Sequence, residues 1–127
     1  MKLADLNPRW LERDGTRLGL ILQCPHCVAA GLTRPALGEA WHHKQHVSLL
    51  TCFFQPTPKK EQFKLLWAAG EELDEDGYPS VHIIPCNPSA QWKVVGGSDF
   101  ADLSLAPSLD ASAAGHWHGH LTDGEIK

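Results

Sequence analysis

The chain has 127 residues, 43% of them hydrophobic and 20% charged, which is enough to bury one core without disulfides. A net charge of −4 and a pI near 6.0 argue against a general binder of nucleic-acid phosphates, which needs clustered Lys and Arg. The longest apolar runs, such as residues 47–54, are too short to cross a bilayer, and the start Met1-Lys2-Leu3-Ala4-Asp5 has no apolar stretch of a secretory signal. The expectation is a single domain over residues 1–127 in a reducing cytosol, where four cysteines serve metal binding before disulfides.

Arg17 to Gln23 reads as a strand that delivers Cys24, because the run is apolar and short. Ala29 to His43 carries Gly31, Pro35 and Gly38 with no clear period and reads as a loop, with a helical turn near Gly38-Glu39-Ala40-Trp41. His46 to Phe54 is the second strand. A helix follows, with Thr57 as cap, Pro58 at the first helical position, Phe63, Leu66 and Trp67 on one face and Gly70 at its close. The acidic run Glu71 to Asp76 reads as a solvated loop. Val81 to Pro85, Gln91 to Val95, Asp102 to Leu105 and His116 to Leu121 are short strands separated by Asn-Pro, Gly-Gly and Ser-Ala-Ala-Gly turns. The expected fold class is mainly β (α+β), a compact antiparallel domain with a zinc knuckle and one short helix.

The chemistry concentrates in Cys24-Pro25-His26-Cys27 and, ninety residues on, His116-Trp117-His118-Gly119-His120. Two residues between thiolates let both sulfurs converge on one cation while turn amides point at them. Residues two apart on a strand share a face, so His116 and His118 are the expected partners in a four-ligand Zn2+ site with Cys24 and Cys27. His120 lies on the same face as a reserve ligand. Cys86, in a turn before Asn87-Pro88, is the substitute if one histidine is unused; Cys52 reads as a buried thiol. His42, His43 and His46 form a second cluster, and His46 could also join the main site. A redox dithiol is the rival reading of the knuckle, but that role sits at a helix start, and the pattern after Cys27 predicts no helix. A hydrolytic zinc needs an open position and a base; there is no His-Glu-x-x-His motif, and Glu39 is the one carboxylate to nominate.

The matching residues Cys24-Pro25-His26-Cys27, His46-Val47, Trp92, Leu103-Ser104-Leu105-Ala106-Pro107-Ser108-Leu109, Trp117-His118-Gly119 and Gly124-Glu125-Ile126 carry a resemblance. From about residue 18 onward the chain is similar to a group of small uncharacterised phage and prophage proteins of no known activity, sometimes mislabelled ammonia monooxygenase. Members of that group often place a cysteine just before the Trp-His pair, where this chain has Gly115 and then His116. The resemblance implies a zinc-binding β domain in a bacterial host cell or virion, and no established reaction.

Together these readings favour a non-catalytic binding module with a structural zinc, directed at a host factor or associated with the virion and with a protein as partner. Five tryptophans fit such a role as well as they fit a core. The alternatives are a zinc-dependent hydrolase with an open coordination position and a nucleic-acid adaptor using Arg9, Arg13, Arg17 and Lys59, Lys60 and Lys64.

Overall fold

The computed structural model describes residues 1–36, 39, 42, 45–71, 73, 75, 81–86, 92–106, 108–112 and 116–127. A four-stranded sheet runs in the order β1 (Arg9–Arg13), β2 (Thr16–Gln23), β3 (Leu49–Phe53) and β4 (Ile83–Pro85). The fold is mainly β, as expected. β1 is an addition to the expected strands. Asp14 and Gly15 join it to β2, both at positive φ (52° and 80°), the backbone a two-residue hairpin demands and Asp-Gly supplies.

β1, β2 and β3 pair antiparallel, but β3 and β4 pair parallel, with Leu49 opposite Ile83 and Leu50 opposite Ile84. Parallel neighbours need a long crossover, and the connection from β3 to β4 contains the helix α2 (Lys59–Ala68). α2 differs in detail from its expectation. Pro58 stands at the N-cap, and the Thr57 hydroxyl donates to the Gln55 carbonyl at 3.0 Å, so no side chain caps the helix. Leu65 and Leu66 are buried, whereas Trp67, expected on the apolar face, is 69% exposed. Leu65 and Leu66 pack with Leu11, Ile21, Leu49 and Phe53, and Trp67 lies about 200° around the helix from Leu65.

Strand alternation divides the apolar side chains between two cores. Ile21, Leu49, Phe53 and Ile83 face α2, while Leu20, Leu22, Leu50, Cys52 and Ile84 face the opposite side. Covered on both faces, the central strands read as continuous apolar runs. The second core is completed by Leu3 and Leu6 of a 3₁₀ turn and by the C-terminal half, through Trp92, Leu103, Leu105, Leu109, Trp117, Leu121 and Ile126.

That half is built from three antiparallel pairs: β5 (Lys93–Gly96) with β6 (Ser104–Ala106), β7 (Leu109–Asp110) with β8 (His118–Gly119), and β9 (Leu121–Thr122) with β10 (Glu125–Ile126). The strand expected over His116 to Leu121 is interrupted at His120, whose backbone exchanges hydrogen bonds with Lys127 at 2.9 and 3.0 Å. The acidic run needs a correction at its first residue. Glu71 is 2% exposed, and its carboxylate accepts from Arg34 at 2.8 and 2.6 Å and from Arg9 at 3.0 Å. Burial alone would raise its pKa, but the two guanidiniums outweigh it and hold the carboxyl below its usual range. The expected turns at Gly38-Glu39-Ala40-Trp41, Asn87-Pro88 and Ser112 to Gly115 lie wholly or mostly outside the described residues, as does His43.

Candidate metal centre

β2 ends by handing the chain to Cys24, whose N–H donates to the Ser48 carbonyl at 2.9 Å and so pins the knuckle to the approach of β3. A short helix, α1 (Pro25–Ala29), starts there, with Cys24 at the N-cap and Pro25 at the first helical position. This corrects the expectation that no helix follows Cys27. Both cysteines are buried and carry no disulfide.

The third donor comes from the far end of the chain. Between β7 and β8, the His116 N–H donates to Ala111 at 3.0 Å and the Ala111 N–H to Trp117 at 2.9 Å, closing a loop. Trp117 is buried in the core, and its neighbour His116 is thereby held against the knuckle. His116 Nδ1 lies 3.4 Å from Cys24 Sγ and 3.7 Å from Cys27 Sγ. Among the described residues this is the only group of three or more His, Cys, Asp or Glu side chains so disposed, and it is positioned to hold a metal ion.

Burial pushes the Cys24 thiol up, although backbone hydrogen bonds from Cys27 and Trp117 work in the other direction. Burial also lowers His82 and His116, with the nearby His82 and His26 adding to the effect on His116. Neutral imidazoles are the form that ligates. The start of α1 restores one feature of a redox dithiol. Against that reading stand two buried sulfurs, a raised rather than lowered thiol pKa and an imidazole at ligand distance from both.

His118 is not brought into the group. It is exposed on β8, and its Nε2 lies 3.2 Å from Ser108 Oγ. The two-residue alternation assumed one strand from His116 onward, but His116 precedes β8 and sits in the loop. His120 is exposed as well. Cys86 follows β4 and pairs instead with Cys52. His46 is buried, with Nδ1 accepting from the His42 N–H at 2.8 Å and Nε2 in contact with the Glu39 carboxylate. His82, which the sequence places only in a short strand, has its ring centroid 6.2 Å from that of His116. Only the β3–β4 register brings it there, and no local pattern announces that pairing. Compared with family models, curated proteins and solved structures, the chain matches none of them.

Proposed function

We propose that the chain is a small zinc-stabilised binding module of a phage or prophage, with a structural metal and a protein partner, acting on a host factor in the bacterial cytoplasm or carried with the virion. The convergence of Cys24, Cys27 and His116 carries the reading. Zn–S and Zn–N bonds of about 2.3 and 2.0 Å place sulfur and nitrogen about 3.5 Å apart on a tetrahedral ion. The observed 3.4 and 3.7 Å bracket that edge, and thiolates with imidazole suit zinc. Such an ion would tie the end of β2 to a loop of the C-terminal half, so its binding would contribute to folding stability. The phage setting rests on the resemblance of the Cys-Pro-x-Cys to Trp-His-Gly pattern.

Side-chain partners weigh against the alternatives. Glu39, nominated as a hydrolytic base, is engaged by His46. A cleft of about 350 Å3 is lined by Lys2, Phe100, Asp123 and Glu125 among others, and no thiol borders it. Of the cations a nucleic-acid adaptor would use, Arg9 is bound to Glu71, Arg13 and Lys64 to Glu61, and Arg17 to Glu12. Trp67 and Val95, 69% and 62% exposed, offer apolar surface to a protein partner.

The test is zinc content of the untagged protein, followed by zinc-edge X-ray absorption. One zinc per chain with two sulfur neighbours, and unfolding when a chelator removes it, is the expected result. A metal-free chain overturns the reading; a zinc-bound water together with ester or amide hydrolysis replaces it with the hydrolase.

A further inference from the structure

We propose that the outer face of α2 is the docking surface of this module, and that its partner presents a short acidic segment carrying an apolar side chain. The inference rests on the binding-module reading and names the partner's chemistry and the face that meets it.

The helical repeat places the residues. At about 100° per residue, Lys60, Lys64 and Trp67 fall within about 60° of one another, and Leu65 and Leu66 are centred on the opposite side. Leu65 and Leu66 are buried with Leu11, Ile21 and Leu49 of the sheet, so the stripe turns to solvent and all three of its side chains are exposed. Phe63 borders the stripe one turn before Trp67, with Lys59 Nζ 5.9 Å from its ring centroid. An indole left 69% exposed forgoes the stabilisation that burial would bring, and Trp is enriched at the centres of protein interfaces.

Charge sets the sign of the partner. α2 carries three lysines against one glutamate, on a chain whose net charge is −4. That glutamate, Glu61, lies on the flank of the stripe, where Arg13 of β1 holds it and Lys64 reaches it only at 3.5 Å. With Glu61 taken by Arg13, the lysines set a net positive charge around the indole.

Size sets the kind of partner. Lys60 to Trp67 covers about 10 Å of helix axis, close to one Debye length at physiological salt. A longer polyanion extends past that range over the rest of an acidic chain, which disfavours nucleic acid and an anionic membrane. A membrane-seated helix also needs several apolar side chains on its outer face, and Trp67 is the only exposed large hydrophobic residue of α2. A short segment with two or three carboxylates beside one apolar side chain covers the stripe and reaches no further. Trp67 then supplies contact area, and Lys60 and Lys64 supply orientation.

The test is an amide and indole NMR titration of the zinc-loaded protein with a short synthetic peptide of Glu, Asp and Leu. Its Gln, Asn and Leu counterpart, a DNA duplex and phosphatidylserine vesicles are run alongside. The Trp67 indole N–H, identified by its absence from Trp67→Phe, and the α2 amides should shift with the acidic peptide and not with the amide counterpart. Lys60→Glu combined with Lys64→Glu should weaken peptide binding about tenfold, as two exposed ion pairs become repulsive. Trp67→Ala should cost about as much. Lys93→Glu, a charge reversal on β5, should leave the affinity within about twofold. Shifts confined to another face, equal binding of the amide counterpart, or tighter binding of DNA or vesicles overturns the proposal. Zinc content of the same sample reports the underlying reading separately. A zinc-loaded chain that ignores the acidic peptide loses this inference alone, whereas a metal-free chain loses the reading.

Discussion

Cys24 and Cys27 share one turn of chain with an imidazole against their sulfurs, whereas Cys52 and Cys86 meet across β3 and the end of β4 among apolar side chains. All four thiols are buried and belong to one core. Cys86 follows the register that sets Thr51 against Pro85, and its N–H donates to Thr51 at 2.9 Å. Burial, with Cys86 beside it, pushes the Cys52 thiol well above its ordinary pKa. Cys24 is also raised, but it receives backbone hydrogen bonds from Cys27 and Trp117 that favour the thiolate. Burial thus raises both thiols, and the two pairs differ in what else reaches the sulfur. What separates the pair positioned to hold a metal from the packing pair is a nitrogen donor and backbone N–H groups aimed at the sulfur.

The largest test of this contrast is a substitution in each pair. Cys27→Ser should lose the metal and, with it, most of the folding stability, since structural zinc contributes on the order of 10 kcal/mol in small zinc domains. Its melt should flatten or fall far below wild type. Cys52→Ala should keep the metal and lose about 1–2 kcal/mol through a small cavity. Thermal unfolding by circular dichroism with parallel metal analysis checks both. Metal loss in Cys52→Ala, or retention in Cys27→Ser, breaks the comparison.

Accessibility to a thiol reagent sharpens it without mutation. The metal-loaded protein should expose no reactive thiol, because the metal would hold Cys24 and Cys27 while Cys52 and Cys86 are buried in the core. Chelation should release Cys24 and Cys27 first, with Cys52 and Cys86 following only as the chain unfolds; denaturant should expose all four at once. Four thiols released in a single fast phase on chelation would mean that the Cys52 and Cys86 core opens together with the metal site.

The two pairs also differ in how far sequence reveals them. A Cys-x-x-Cys knuckle is local, so spacing alone marks Cys24 and Cys27, and the apolar run that delivers them is a strand whatever its neighbours. His116 is legible as a donor in a histidine-rich segment, but which histidine turns inward depends on where β8 starts and on Trp117 entering the core. His82 and the Cys52 and Cys86 pair depend on the parallel pairing of β3 and β4, set by a crossover of some thirty residues that no short pattern specifies. β1 is polar at most positions, and only Asp14-Gly15 betrays it. Trp67 shows the reverse error, since an apolar residue at helical spacing faces solvent once Leu65 and Leu66 have taken the core.

The smallest expected effect concerns pH. Cys52 keeps its proton in the folded protein above the ordinary thiol range, whereas the unfolded chain releases it from about pH 8.5 upward. The unfolded state then binds fewer protons than the folded one, so stability must fall as pH rises, by at most about 1.4 kcal/mol per pH unit for this group. Its contribution is fully present below pH 8.5 and is lost between there and the raised folded value. Cys52→Ala removes the slope but adds a cavity, so the variant starts below wild type at neutral pH, and the gap should narrow above pH 9. Denaturant titrations of both zinc-loaded proteins from pH 7 to 10 read this directly. Parallel curves would mean that Cys52 ionises as freely in the folded core as in the unfolded chain. The second thiol pair would then share the chemistry of the first instead of contrasting with it.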